Sequence, residues 1–297
     1  MTHVATLIAN PGALDATGVE RARALLRNAQ PAQWLAANAA ADICFDAPSG
    51  EDLRKLADRL RTAAPVPIDV VVQPATNRRK KLFLADMDST MIGQECIDEL
   101  ADYAGLKPHI AAITERAMRG EIAFEPALRE RVALLKGLPA ALIDEIIASR
   151  IELTPGGKTL LATMRQHGAR TCLVSGGFTL FVDKIAAMIG FDESRSNTLM
   201  LDPDGRLTGM VAEPIFGRDQ KRATLVELRD QLGLAHEETM AIGDGANDLD
   251  MIAEAGLGVA YHAKPAVAAA AQARIEHGDL TALLYAQGYR RTEFVEA

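Results

Sequence analysis

Leu82-Phe83-Leu84-Ala85-Asp86-Met87-Asp88-Ser89-Thr90 is the stretch on which the reading of this 297-residue chain turns. Four apolar residues run directly into two carboxylates separated by one residue. In an open α/β sheet, ligands bind beyond the carboxyl ends of the strands. Leu82–Ala85 therefore reads as a strand that delivers Asp86 and Asp88 to a reaction centre. Two ionised carboxylates so close repel, and a cation or a shared proton must relieve them. Taken alone, the same residues also read as a helix cap, with Ser89 and Thr90 making turn hydrogen bonds.

Working outward, two further apolar runs end in the same manner. Ala169–Val174 leads into Ser175-Gly176-Gly177-Phe178, where a hydroxyl and two glycines expose backbone N–H groups to an anion. Thr239–Ile242 leads into Gly243-Asp244-Gly245-Ala246-Asn247-Asp248, a second group of strand-end carboxylates. Gly258–Ala260 is a fourth strand. Short apolar runs alternating with helical segments from Leu82 onward predict an open parallel α/β sheet. Lys221, in Gly217-Arg218-Asp219-Gln220-Lys221, enters a helix, where a lysine is ordinarily a solvated surface residue. Between the first two strands lies a helical insertion, about residues 93–150, broken at Gly105, Gly120 and Gly137-Leu138-Pro139. Thr198–Leu201 and Leu207–Val211 flank Asp202-Pro203-Asp204-Gly205, a hairpin signal. Beyond Tyr261 the chain reads as one Ala-rich helix and a tail without a site.

Residues 1–75 read as a separate α+β unit. Val4–Ala9 is a strand, closed by the turn Asn10-Pro11-Gly12. A helix follows over Gly18–Ala29, with Val19, Ala22, Leu25 and Leu26 on one face. Strands at Gln33–Ala37 and Asp42–Asp46 come next, then a helix capped by Ser49 with a Leu53, Leu56 and Leu60 stripe, and a strand at Ile68–Val72. The order β-α-β-β-α-β is the split βαβ pattern of ferredoxin-like domains. Residues 76–81 form the boundary, and the basic run Arg78–Lys81 reads as a solvated linker before the second domain, residues 82–297.

The formal net charge of −8 argues against nucleic-acid binding, which needs a basic face to displace counterions. It leaves room for an anionic small molecule, because a few cations govern a pocket. Cys44, Cys96 and Cys172 lack CxxC spacing and read as reduced thiols. The first residues carry no signal-peptide pattern, and no stretch reaches the roughly 18 apolar residues of a membrane span. The expected setting is the cytoplasm, with no membrane partner. Six histidines without HxxxH spacing make a histidine-built zinc site a poor reading.

DxDST, SGG, a separate Lys221 and GDGxND in this order resemble the haloacid dehalogenase-like phosphatases, over about Leu82 to Lys264. Glu95, the segment Phe124–Val132 and the full Gly243–Asp248 string resemble more closely the branch of that family that acts on phosphoserine. The resemblance implies a Rossmann-like parallel sheet with a helical cap insertion. It makes Asp86 the nucleophile and Asp88 the general acid and then base. Mg²⁺ would be held by Asp86, Asp244 and the Asp88 carbonyl, supported by Asp248 and Asn247. Ser175, Gly176 and Lys221 would hold the phosphoryl oxygens. In the cap, Glu95 would bind the substrate ammonium and Arg131 its carboxylate, with Met118 and Phe124 packing around it. Pro126 bears on where the helix carrying Arg131 starts. The element order of the first 75 residues resembles the amino-acid-sensing ACT domain, which implies either an amino-acid effector or homodimer formation there. Two other readings remain at this point: a phosphatase of the same family acting on phosphohomoserine, phosphothreonine or another small phosphate ester, and an amino-acid sensor with a vestigial catalytic domain.

Overall fold

The computed structural model describes every residue except Gly120 and Ala297, together with the side chain of Met118. The Gly120 break and the substrate-packing role of Met118 thus lie outside the described residues.

The first unit has strands β1 (His3–Ile8), β2 (Gln33–Ala36), β3 (Ala40–Phe45) and β4 (Asp69–Pro74), with helices α1 (Ala16–Ala24) and α2 (Leu53–Ala63). Its antiparallel sheet has the order β2-β3-β1-β4. Leu7, Ile43, Val70 and Val72 pack against Val19, Ala22, Leu56 and Leu60 of the two helices. The opposite face sends Ile8, Leu35, Ala40 and Val71 into the core of the second unit. Strand ends fall within two residues of the sequence reading, and the helices depart from it at two points. Helix α1 stops at Ala24, not Ala29, because Asn28 turns the chain with φ of 53° and the Gln30 N–H then joins Cys44 O. The cap of α2 is Asp52 and not Ser49, its carboxylate accepting from Arg54 N and Lys55 N.

The segment read as a solvated linker is built into the structure. Arg78 donates to both carboxylate oxygens of Asp42 at 2.8 and 3.0 Å and to Ala286 O at 3.2 Å. Lys80 is buried and donates to Asn77 O and Glu237 O. These cations meet fixed acceptors at the junction of the two units, which composition alone does not reveal. Lysine so enclosed loses hydration, and its pKa falls to about 8.

The second unit is a six-stranded sheet in the order β12-β11-β10-β5-β6-β7, every adjacent pair parallel. Its strands are β5 (Leu82–Ala85), β6 (Arg170–Phe178), β7 (Glu193–Asn197), β10 (Thr239–Gly243), β11 (Leu257–Tyr261) and β12 (Ala273–Ile275). From the central β5 the chain builds one half outward through β6 and β7, and the other through β10, β11 and β12. The ends of β5 and β10 thus flank the switch point, where an open sheet leaves a crevice. The edge strands β7 and β12 escaped the sequence reading because they are short or polar: Glu-Ser-Arg-Ser-Asn in β7 lacks the apolar run of a buried strand. Strand β6 also continues past Val174, through a bulge at the glycines, to pair again at Phe178 with Asn197.

Helices α3 (Cys96–Tyr103), α4 (Lys107–Met118), α5 (Phe124–Leu134) and α6 (Leu142–Arg150) make the insertion. A bridge between Ile92 and Leu153 closes its neck. Pro126 sits in the first turn of α5, where a missing N–H costs no helical bond. The hairpin of β8 (Leu199–Leu201) and β9 (Leu207–Val211) props the α5–α6 turn: Gly137 N donates to Leu207 O and Leu207 N to Leu138 O, both at 2.8 Å. Of the remaining helices, α7 (Gly157–Gln166), α8 (Thr179–Ile189), α9 (Arg218–Gln231), α10 (Leu249–Glu254), α11 (Pro265–Ala270) and α12 (Ala282–Ala286), α9 matters most below. Among the described residues no helix is long and apolar enough to cross a membrane.

Candidate active site

Asp86 follows the last residue of β5, and its N–H still donates to Ile242 O of the neighbouring strand at 3.0 Å. That bond fixes the carboxylate at the crevice. Lys221, in the first turn of α9, is wholly enclosed; its Nζ donates to Asp86 Oδ1 at 2.6 Å and to Asp248 Oδ1 at 2.8 Å. Lys221 is therefore no surface residue, and among the acids it is the balancing charge. Asp248 accepts with its other oxygen from Gly245 N at 3.0 Å. Both of its oxygens are thus committed. Gly243 is required for this turn, since a Cβ there would stand 2.3 Å from Asp248 Cγ.

Each of Asp86, Asp244 and Asp248 brings a carboxylate oxygen within 4.8 Å of the other two, and all three residues are buried. Burial raises the pKa of Asp86 well above the usual carboxylate range; the Asp248 charge adds to this and Lys221 opposes it. Asp244 rises to about 6, again by burial first and Asp248 second. For Lys221, burial pulls the pKa down, yet the two adjoining carboxylates prevail and the net change is upward. Even with the exposed Lys264 ammonium 3.9 Å from Asp244, Lys221 leaves the three crowded carboxylates with negative charge in surplus. An all-oxygen donor set with surplus negative charge fits a hard divalent cation.

Asp88 lies beside this cluster and accepts from Cys96 N at 3.2 Å. Its pKa is pushed up to about 7, by burial and then by the Glu95 charge. A carboxyl poised there can hold a proton and release it near neutral pH. Across the crevice, the bulge of β6 offers Ser175, buried, whose Oγ accepts from Gly177 N at 2.9 Å.

The cap brings two more charges. Glu95 stands at the start of α3 and makes no cap bond to the helix; its Oε1 accepts from Ser89 Oγ at 2.8 Å. Ser89 adopts φ of 55°, a left-handed conformation unusual for a residue with a Cβ. Arg131 is half-buried on α5, donating to Ala127 O at 3.3 Å and Thr114 Oγ1 at 3.5 Å. Among the described residues neither Glu95 nor Arg131 has a salt-bridge partner. Arg129, two residues earlier, behaves differently, pairing at the surface with Glu125 and Glu213.

A cavity of about 160 Å³ gathers Asp86, Asp88, Glu95, Phe124, Arg131, Ser175, Gly176, Asp244 and Asn247 around one space. Lys221 and Asp248 support it from below. Lys264, to which the sequence reading gave no role, belongs here as well. It lines the cavity, with Nζ 3.9 Å from Asp244 Oδ2; its position just past a strand end was the available signal. Ser89 is part of the DxDST motif, but its hydrogen bond to Glu95 has no signature in the sequence.

Relatives reinforce the geometry. The phosphoserine phosphatase of a Polaromonas species is 50% identical over 209 residues, covering 69% of this chain and 88% of that protein. A hydrolase of the same family from Salmonella enterica serovar Typhi superposes with a TM-score of 0.85 at 29% identity, over 98% of both chains. A substrate-bound phosphoserine phosphatase gives a TM-score of 0.64 at 39% identity, over 69% of this chain and 97% of its own. Residues 83–253 match the model of the haloacid dehalogenase-like hydrolases. With the strand-end carboxylates, the buried lysine and the helical cap assembled around one crevice, this chain belongs to the haloacid dehalogenase-like hydrolase family.

Proposed function

We propose that the site hydrolyses O-phosphoserine to serine and phosphate through a phosphoryl group carried on Asp86. One observation carries the choice of substrate: beside a phosphoryl-transfer centre, the cavity presents the carboxylate of Glu95 and the half-buried guanidinium of Arg131, neither with a salt-bridge partner among the described residues. That pair complements the ammonium and carboxylate of an amino acid, and a guanidinium fork suits bidentate binding of the latter. The names of the relatives support the same reading.

Asp86 attacks phosphorus, and the bond from phosphorus to the serine oxygen breaks as Asp88 gives its proton to that oxygen. Asp88, now ionised, takes a proton from the water that attacks the phosphoryl group, and Asp86 is released. Ser175, the Gly176 N–H and Lys221 hold the phosphoryl oxygens, so that charge developing in transfer meets fixed donors. Mg²⁺ fits the oxygen donors of Asp86, Asp244 and the Asp88 backbone; when bound it supplies positive charge that keeps Asp86 ionised and offsets the phosphoryl oxygens. Asp248, with both oxygens already engaged, and Asn247 take supporting positions.

The test is phosphate release from phosphoserine by the purified chain, with Mg²⁺ and with EDTA, beside phosphohomoserine, phosphothreonine and an aryl phosphate. Mg²⁺-dependent release with preference for phosphoserine is expected. Equal rates on esters lacking an ammonium would overturn the substrate assignment and keep the Asp86 chemistry.

A further inference from the structure

Asn197 ends β7 and is 2% exposed, although the four residues before it in the strand are half-buried. Its Nδ2 donates to Gly176 O and to Phe216 O, both at 2.9 Å, and its Oδ1 accepts from Phe216 N at 2.7 Å. Two carbonyl acceptors on one side and an N–H on the other allow only this orientation of the amide. The two backbone segments it joins lie 40 residues apart in the chain. One follows Ser175 in the bulge of β6. The other leads into Gly217, the residue capping α9, four positions before Lys221.

A second observation falls on the same pair of segments. The ring of Phe124, at the start of α5 in the cap, lies across both glycines. A Cβ added to Gly176 would stand 3.4 Å from Phe124 Cζ, and one added to Gly217 would stand 3.3 Å from Cε1. The ring lines both the reaction cavity and an outer groove of about 720 Å³ that reaches Lys221 and Asn247.

We propose that Asn197 is a positioning residue: it locks the Gly176 and Gly217 turns into one rigid seat. That seat sets the phosphate-binding backbone against Lys221 and receives the Phe124 ring when the cap is closed. The inference rests on the phosphoryl-transfer reading of the site, but not on the identity of the ester. Asn197 touches no reacting atom. It acts through backbone placement, where a shift of about 1 Å can cost on the order of 100-fold in rate.

Asn197→Asp keeps the shape but turns an oxygen toward two carbonyl oxygens. With far-UV circular dichroism and elution volume as in the wild type, kcat is expected to fall about 10- to 100-fold for both phosphoserine and an aryl phosphate. Inhibition by inorganic phosphate should weaken in parallel. Unchanged kcat and unchanged phosphate inhibition, with only a lower melting temperature, would make Asn197 a core residue and overturn the proposal. Should that variant not fold, Asn197→Ser, which retains a single hydroxyl donor, is read in the same way. The seat is tested separately by Gly217→Ala, expected to lower kcat/KM in the wild-type background and to have no further effect beside Phe124→Ala. An equal loss in both backgrounds, or none, would remove Phe124 from the seat. A wild-type protein that cleaves the aryl phosphate but not phosphoserine would defeat the substrate reading while leaving both comparisons intact.

Discussion

Lys221 donates to Asp86 and Asp248 with no exposure to solvent, so a change at any one of these three takes a partner from a buried charge. Asp86→Asn also removes the proposed nucleophile, and turnover is expected to fall by more than about 1,000-fold with the fold retained, by phosphate release and circular dichroism. Asp88 offers a pH test. Its pKa of about 7 lies above the ordinary carboxylate value, so the proton that the proposed mechanism takes from it is present below pH 7 and lost about tenfold per unit above it. Single-turnover formation of the phosphoenzyme from phosphoserine should therefore decline above pH about 7. An aryl phosphate, whose leaving group needs no proton, should lack that limb, as should Asp88→Asn. Arg131→Ala is expected to raise KM for phosphoserine about 10- to 100-fold, in line with the loss of a charge-assisted bond, and to spare the aryl phosphate. Equal losses on both substrates would argue against Arg131 as the carboxylate clamp.

Helices and strands were legible to different degrees, and the differences have physical causes. Buried central strands such as β5 and β10 declare themselves by apolar runs ending in glycine or aspartate. The edges β7 and β12 do not, since an edge is short, half-solvated and free to carry polar residues. Helix caps depend on which oxygen meets the free N–H groups, and Asp52 prevails over Ser49 because its carboxylate reaches two of them. At the head of β4, Asp69 is buried and accepts from the backbone N–H groups of Glu276, His277 and Gly278. The element pairing it creates, between the first unit's sheet and the loop after β12, had no signal in the sequence. Asp69→Ala leaves those donors unpaired and is expected to cost about 2 kcal/mol, measured as a shift in the urea unfolding midpoint.

Over the whole molecule, the two units are joined by more than a chain crossing. Arg78 links Asp42, Thr6 and Ala286 O; Gln73 donates to Ala286 O; and Gln287 accepts from Lys80 N. Breaking a buried ion pair by removing one partner exposes the other to the full desolvation cost. Arg78→Ala is expected to destabilise by about 3 kcal/mol. Asp42→Ala combined with it should cost less than the sum of the two, because they share one interaction. A fully additive result would mean that Arg78 acts through Ala286 and not through Asp42.

Residue order alone was enough for what depends on neighbours along the chain. Apolar runs became strands, glycines and aspartates became strand-end turns, and the DxDST, SGG and GDGxND segments carried a family resemblance that the comparisons bear out. The rest depended on which distant segments pack together. Glu95 and Arg131 face one cavity only because α3 and α5 fold over the crevice. Lys221 is buried only because the first turn of α9 packs beneath the crevice, and Arg78 finds Asp42 and Ala286 O only where the two units meet. Asn197 had no local signature at all, for its three hydrogen bonds reach backbone groups about 20 residues away on either side. Local geometry is set by steric and hydrogen-bond preferences of adjacent residues, whereas charge balance and burial arise only when packing excludes water.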